Sequence, residues 1–444
     1  LKGGAAFIFS REKDGEINIS TPAANGAMRG TQLYVEVLEN GSSKFQVLEG
    51  QVILKNQRGE LVLDAGEAGE ALPGVSPKKT AAIITSNLLQ WALHYPAILD
   101  PSELEMSEDD RLAVTDSLRA YGEGDLLGAL ENYPESAAAG VGGKLYRAGV
   151  LLGVGRVDEA RAGLGEVAAD NLGRRALERM IAAVKFNEKK AWDPKSLATS
   201  GEAMAESYYL QSRSDLNGAR EAARLATRIT PKNGYAWTRL AELEFSFSRT
   251  KEARAALERG LRLTPKNAQA HALKGFVLSA DNLIEESRRS FEEAVRLDGA
   301  LGNGWLGLGL TKIKRGDLEA GRGDLQTAAT VEPTVSGFHS YLGKAFSMED
   351  NPVDARKDLD LARKLDPNDP TPLLYSALEL QQLNRTNQAI TDLEKSIELN
   401  DNRRVFRSKQ LLDQDKAVRS ANLAKIYQNA GMRNVAVREA THAV

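Results

Sequence analysis

The chain has no cysteine and only four histidines, at 94, 271, 339 and 442, in 444 residues. Without cysteine there is no disulfide framework and no thiolate metal site, and the absence suits an oxidising compartment. Charge of one sign is also missing: 58 basic against 61 acidic residues leave a formal net charge of -3. A nucleic-acid partner needs a concentrated basic surface, so that class is excluded. No long hydrophobic run exists either. The best candidate, Ala81 to Leu93, is interrupted by Thr85, Ser86, Asn87 and Gln90, and it is well short of the roughly 20 residues a membrane-spanning helix needs. Catalytic motifs are equally scarce. The stretch Ala139-Gly140-Val141-Gly142-Gly143-Lys144-Leu145 ends in Gly-Lys. A phosphate-binding loop, however, requires Ser or Thr where Leu145 stands, a glycine where Ala138 stands, and a preceding strand. The reading is of a non-enzyme with no cofactor and no metal.

What the chain does have is a register. Pro231, Pro265, Pro333 and Pro367 fall on one 34-residue grid, with Gly299 in the empty slot. Six consecutive units therefore start at Ser200, Gly234, Ala268, Gly302, Ser336 and Pro370. Position 4 is large in Trp237, His271, Trp305, His339 and Leu373. Position 8 is small in Ser207, Ala241, Gly275, Gly309, Gly343 and Ala377, and position 20 in Ala219, Ala253, Ser287, Gly321, Ala355 and Ala389. Position 24 is bulky in Leu257, Phe291, Leu325, Leu359 and Leu393. Small residues let two helices approach, so each unit reads as helix, turn, helix and stop, and a period of this length marks a solenoid.

These offsets resemble the tetratricopeptide repeat. Degenerate units can be aligned from about Asp110, with Gly124-Asp125 as its turn, and from about Val141, with Gly155-Arg156. The grid slips at 404 to 416, which Arg403, Arg404 and Arg407 with Lys409 make basic, and resumes at Ala417. The resumed unit is cut at Val444 and Leu1 is not a methionine, so the natural chain is expected to continue at both ends. His271 and His339 share position 4 two units apart; four helix layers at about 8–10 Å each separate them and rule out one shared metal. Packing in a helix–helix seam in place of tryptophan is the reading for both, and helix-end packing for His94.

Residues 1–78 read differently, as short alternating strands at Ala5 to Phe9, Glu16 to Ser20, Gln32 to Leu38, Lys44 to Leu48, Gln51 to Lys55 and Glu60 to Leu63. Asn40-Gly41 suits a tight hairpin between two of them, because it tolerates positive φ. Thr21-Pro22-Ala23, Met28-Arg29-Gly30-Thr31, Val47-Leu48-Glu49-Gly50-Gln51-Val52 and Ala65-Gly66-Glu67 resemble the periplasmic domain of the FecR family. That resemblance implies a bacterial envelope protein of the periplasm, outer membrane or cell surface. The expected fold is thus multidomain, a small all-β FecR-like domain followed by an all-α tetratricopeptide-repeat superhelical solenoid. The expected layout is the β domain at 1–78, a linker and helix at 79–109, degenerate repeats at 110–199, six units at 200–403, the insertion at 404–416 and a truncated unit at 417–444.

In this repeat class the first helix of each unit lines a concave groove, chiefly through positions 2, 5, 9 and 12. Position 9 is Tyr208, Glu242, Phe276, Leu310, Lys344, Leu378 and Lys425, and neighbouring positions add Met204, Phe245, Leu306, Ile313 and Leu374. The middle is apolar and the ends polar, which favours an amphipathic helix or extended apolar segment of a protein partner. The same residues equally suit packing against another element of the chain. The resulting expectation is a non-enzymatic protein–protein interaction scaffold of the cell envelope, binding protein partners or its own copies, as a homo-oligomer or filament. A FecR-type sensor linked to an outer-membrane receptor and a glycan- or peptidoglycan-binding envelope module remain the alternatives.

Overall fold

The computed structural model describes residues 3–8, 17–37, 41–64, 67–80, 97–134, 140–185, 197–213, 215–247, 249–367, 369–399, 421–429 and 431–441. The 404–416 insertion, the stretch 81–93, His94 and His442 lie outside them.

Seven strands come first: β1 (Gly3–Ile8), β2 (Ile17–Ser20), β3 (Asn25–Val37), β4 (Ser43–Asn56), β5 (Gly59–Asp64), β6 (Ala68–Ala71) and β7 (Lys78–Thr80). β3 and β4 form a long antiparallel hairpin whose register shifts between Arg29 and Leu33. On one side of the shift the hairpin is flanked by β2 and β5; on the other it is flanked by β1 and β6, with β7 beyond β6. An irregularity in a long pair lets the strands bend, and the two halves of this single seven-stranded sheet share a core. That core holds Ile19, Val35, Val37, Phe45, Val47, Val52, Leu54, Leu63 and Ala71. Gly69 of β6 sits close against β5, since a Cβ there would stand 3.0 Å from Leu63 Cδ1 and 3.1 Å from Leu61 Cδ2. The Asn56 amide closes one end by donating to the Ala23 and Val75 carbonyls at 3.1 and 2.7 Å.

Helices make up the rest of the description. α1 (Glu108–Ala113), α2 (Thr115–Glu123), α3 (Leu126–Glu131), α4 (Val141–Gly153), α5 (Val157–Leu164) and α6 (Leu172–Lys185) lead into the regular array. The array pairs α7 (Ser200–Ser212) with α8 (Leu216–Ile229), α9 (Gly234–Ser246) with α10 (Thr250–Leu263), and α11 (Ala268–Ala280) with α12 (Ile284–Leu297). It continues with α13 (Gly302–Lys314) and α14 (Leu318–Val331), α15 (Ser336–Met348) and α16 (Pro352–Leu365), and α17 (Thr371–Gln382) and α18 (Thr386–Glu398). α19 (421–429) and α20 (Arg433–Thr441) follow. The Gly142-Gly143-Lys144 stretch lies in the first turn of α4, with no phosphate-loop geometry.

The residue pattern explains the helix pairing. Position 24 is buried throughout, at Leu257, Phe291, Leu325, Leu359 and Leu393, and it packs where position 8 is small. A Cβ on Gly309 would stand 2.7 Å from the Gly321 carbonyl and 2.8 Å from Leu325 Cγ. The turn between the two helices places residue 15 of the unit at positive φ in Gly124, Gly155, Asn282, Gly316, Asp350, Asn384 and Gly431. Glycine, asparagine and aspartate are the residues that enter this region most readily. The same turn therefore recurs in the units aligned from Asp110, Val141 and Ala417.

Position 4 has a specific task. The indole N–H of Trp237 donates to the Pro231 carbonyl, and that of Trp305 to the Gly299 carbonyl, each at 2.9 Å. The Nε2 atoms of His271 and His339 reach the Pro265 and Pro333 carbonyls at the same 2.9 Å. Each ring therefore supplies an N–H to the loop carbonyl that the preceding helix leaves without an intrahelical partner. Histidine replaces tryptophan here because both are ring N–H donors.

Candidate functional site

The inner face of the array is built from the first helix of each unit. Helices α7, α9 and α11 are entered through side-chain caps, in which Thr199 accepts from the Glu202 amide, Asn233 from Ala236 and Asn267 from Ala270. Fixed starts hold positions 2, 5, 9 and 12 of successive helices in one row.

At the front of the row the inner positions are buried. Met204 is 1% and Tyr208 8% exposed, and both belong to a core that includes Ile98, Leu99, Tyr121 and Tyr146. A polar network lies beside them. Arg179 pairs with Glu206 at 2.9 Å, their side chains 0% and 3% exposed, and its guanidinium stacks 3.2 Å above the Tyr209 ring. Arg239 stacks 3.8 Å over Tyr208, donates to Ser207 Oγ at 3.0 Å, bonds to Gln211 and pairs with Glu242 at 2.9 Å. Burial pushes the Tyr208 hydroxyl well above its ordinary pKa. Glu242 is half-buried, and Phe245 packs against the cluster of Leu240, Leu243 and Leu257.

From α11 onward the row changes character. Phe276 is half-buried with its ring edge-on to Phe291 at 4.8 Å. Leu306 and Ile313 are half-buried against the core of Leu325 and Phe338, and Leu310 is half-buried between them in sequence. The Lys344 ammonium lies 5.0 Å above the Tyr375 ring. Leu374 packs on the cluster of Leu393 and Tyr427, Leu378 is half-buried and Lys425 is exposed. The sequence-named residues therefore form a row with a covered front and an accessible apolar middle. Among the described residues no group of three or more His, Asp or Glu could hold a metal ion, and no helix is long and apolar enough to cross a membrane.

One periodic feature escaped the offsets read from the sequence. Position 21 is arginine in five successive units, and in three of them it contacts position 14 of the next. Arg220 stacks 4.5 Å from Phe247, Arg254 pairs with Asp281, and Arg322 pairs with Glu349 at 2.7 Å. Arg288 meets Arg315 at this offset, and Glu285 lies between them, 3.2 and 3.0 Å from the two. The fifth, Arg356, has Leu383 at that offset.

An all-α array of helix pairs with an inner row of accessible side chains defines an interaction solenoid. The chain carries tetratricopeptide repeats: that family's profiles match residues 210–275 and 376–403. No curated protein matches the chain. Solved structures with a similar array include the APC/C hetero-tetramer Cut9–Hcn1, at 16% identity over 74% of this chain and 72% of that one, with a TM-score of 0.48. YrrB, described as a tetratricopeptide-repeat protein with an unusual peptide-binding site, is 19% identical over 42% of this chain and 96% of its own, with a TM-score of 0.31. PilF of Pseudomonas aeruginosa is 17% identical over 45% and 91%, with a TM-score of 0.38. Likenesses this distant carry no partner or activity across.

Proposed function

We propose that the protein is a non-enzymatic scaffold of the bacterial envelope that receives an apolar helix or extended segment of a protein partner along the inner face of α11 to α17. The supporting observation is the half-buried row of Phe276, Leu306, Leu310 and Ile313, which follows a front section whose inner positions the chain itself fills. Half-buried apolar side chains on a rigid array gain from being covered, at about 25 cal/mol for each Å² removed from water. Lys344, the position-9 residue that follows Leu310, gives the segment a place for a carboxylate. The FecR-like reading of the β domain supplies the envelope location and a second module to present to partners.

The test is the double substitution Phe276→Glu and Leu310→Glu. Proteins crosslinked to the wild type in the envelope fraction of a bacterial host should be lost from the variant while its helical circular dichroism is retained. An unchanged crosslinked set would move the interface off this row, and recovery of the chain only from the cytoplasmic fraction would remove the envelope assignment.

A further inference from the structure

We propose that residues 97–124 act as an internal strap, bound across the starts of three successive repeats and fixing the curvature of the front of the solenoid. At α7 the Glu103 carboxylate accepts from the Ser200 and Gly201 amides at 2.6 and 3.2 Å, and from the Thr230 hydroxyl, just past α8, at 2.9 Å. An acceptor from elsewhere in the chain thus satisfies donors that the helix start leaves open, and its negative charge suits that end of the helix. Leu99 packs beside it, 3.2 Å from where a Gly201 Cβ would stand. At α9 the Tyr235 hydroxyl donates to the Tyr121 carbonyl at 2.8 Å, with the two rings 5.1 Å apart.

The third contact is at the entry to α11. The Lys266 amide donates to the Glu123 carbonyl, and the Lys266 ammonium meets the Glu123 carboxylate, both at 2.7 Å. Gly124 lies against Asn267, with a Cβ position only 2.6 Å from its amide nitrogen, and its φ of +94° is a second reason for glycine. The strap is also tied to itself, since the Tyr121 hydroxyl donates to the Leu99 carbonyl at 2.7 Å. Stacked repeats ordinarily touch only their neighbours, so small rotations accumulate freely along the array. A segment fastened at the entries to α7, α9 and α11 closes that chain of rotations into a loop with one geometry. The proposal does not depend on what the rear groove binds.

The amides of Ser200, Gly201 and Lys266 report on the strap, because the bonds that hold them come from it. Hydrogen exchange on the full chain should therefore rise roughly tenfold at these amides in Glu123→Lys combined with Glu103→Ala, with α13 to α18 unchanged. Small-angle scattering should show a larger radius of gyration. The charge swap Glu123→Lys with Lys266→Glu should return the amide at position 266 to wild-type protection, and it concerns an exposed pair, so it tests the strap without threatening the core. Wild-type exchange at all three amides in the Glu123→Lys, Glu103→Ala variant would overturn the strap. So would an equal rise in every helix, which would mean general loosening.

Discussion

The front of the solenoid, α4 to α9, and the rear, α11 to α18, share one repeat but use their inner faces in opposite ways. In front, the chain's own residues cover the row, and the inner side chains form a buried network around Arg179, Glu206 and Arg239. In the rear, the row is apolar and half-buried from Phe276 to Ile313, and position 4 anchors the loops through Trp305 and His339. A repeat whose inner face is already occupied can hold charge there, because a partner charge within the same chain is always present. An inner face kept for something outside the chain has no such guaranteed partner and stays apolar.

The sharpest way to break this contrast is Arg179→Met. Removing one member of a buried ion pair costs about 3–5 kcal/mol, because the remaining charge loses its partner in a poorly solvated place. Urea unfolding should lose that amount, with hydrogen exchange placing the loss in α6 to α9 and sparing α13 to α18. Adding Glu206→Leu should recover most of it, as replacing a whole buried pair with apolar groups often does. A loss below about 1 kcal/mol would mean that the network does not hold the front together.

A second test separates two histidines that hold the same repeat position in the rear. His271 makes its ring bond to the Pro265 carbonyl in a half-buried setting. His339 is 0% exposed and also meets Asp358 through Nδ1 at 2.8 Å. Tryptophan can replace the carbonyl bond at either site but offers nothing to Asp358, which is itself buried. His271→Trp should stay within about 0.5 kcal/mol of wild type. His339→Trp should cost about 1–3 kcal/mol, the penalty of an unsatisfied buried group, and His339→Trp with Asp358→Ala should regain part of it. Equal melting temperatures for the two single variants would refute the distinction.

These residues show what could be read without coordinates. The helix pairing was legible because it depends on size at fixed offsets, as at Gly309 and Gly321. The role of position 4 was half legible: large residues were expected in a seam, but the shared ring N–H of Trp and His carries the function. The arginines at 220, 254, 288, 322 and 356 were visible at one offset, yet their meaning needs the residue at position 14 of the next unit. The strap could not be read at all. Glu103 meets Ser200 and Thr230 across 97 and 127 positions with no period to announce it, and so the offsets left Met204 and Tyr208 open between the groove and packing against another element of the chain.

The prediction most diagnostic in sign concerns Glu332 in the rear. Its carboxylate accepts from the Gly302 amide at 2.7 Å, and desolvation, eased by that bond, raises its pKa to about 8. The front uses a carboxylate from the strap, Glu103, at the equivalent helix start. The folded chain therefore holds a proton on Glu332 between the ordinary carboxylate range and pH 8, while the unfolded chain releases it. Stability from this group is fully present in acid and is lost as pH rises through that window. Glu332→Gln should keep a neutral acceptor for Gly302 and remove the decline, so the variant should match wild type near pH 4.5 and exceed it at pH 9 in melting temperature. A variant whose melting temperature runs parallel to wild type from pH 4.5 to pH 9 would place the carboxylate in solvent and leave the rear helix starts no different in electrostatics from the front.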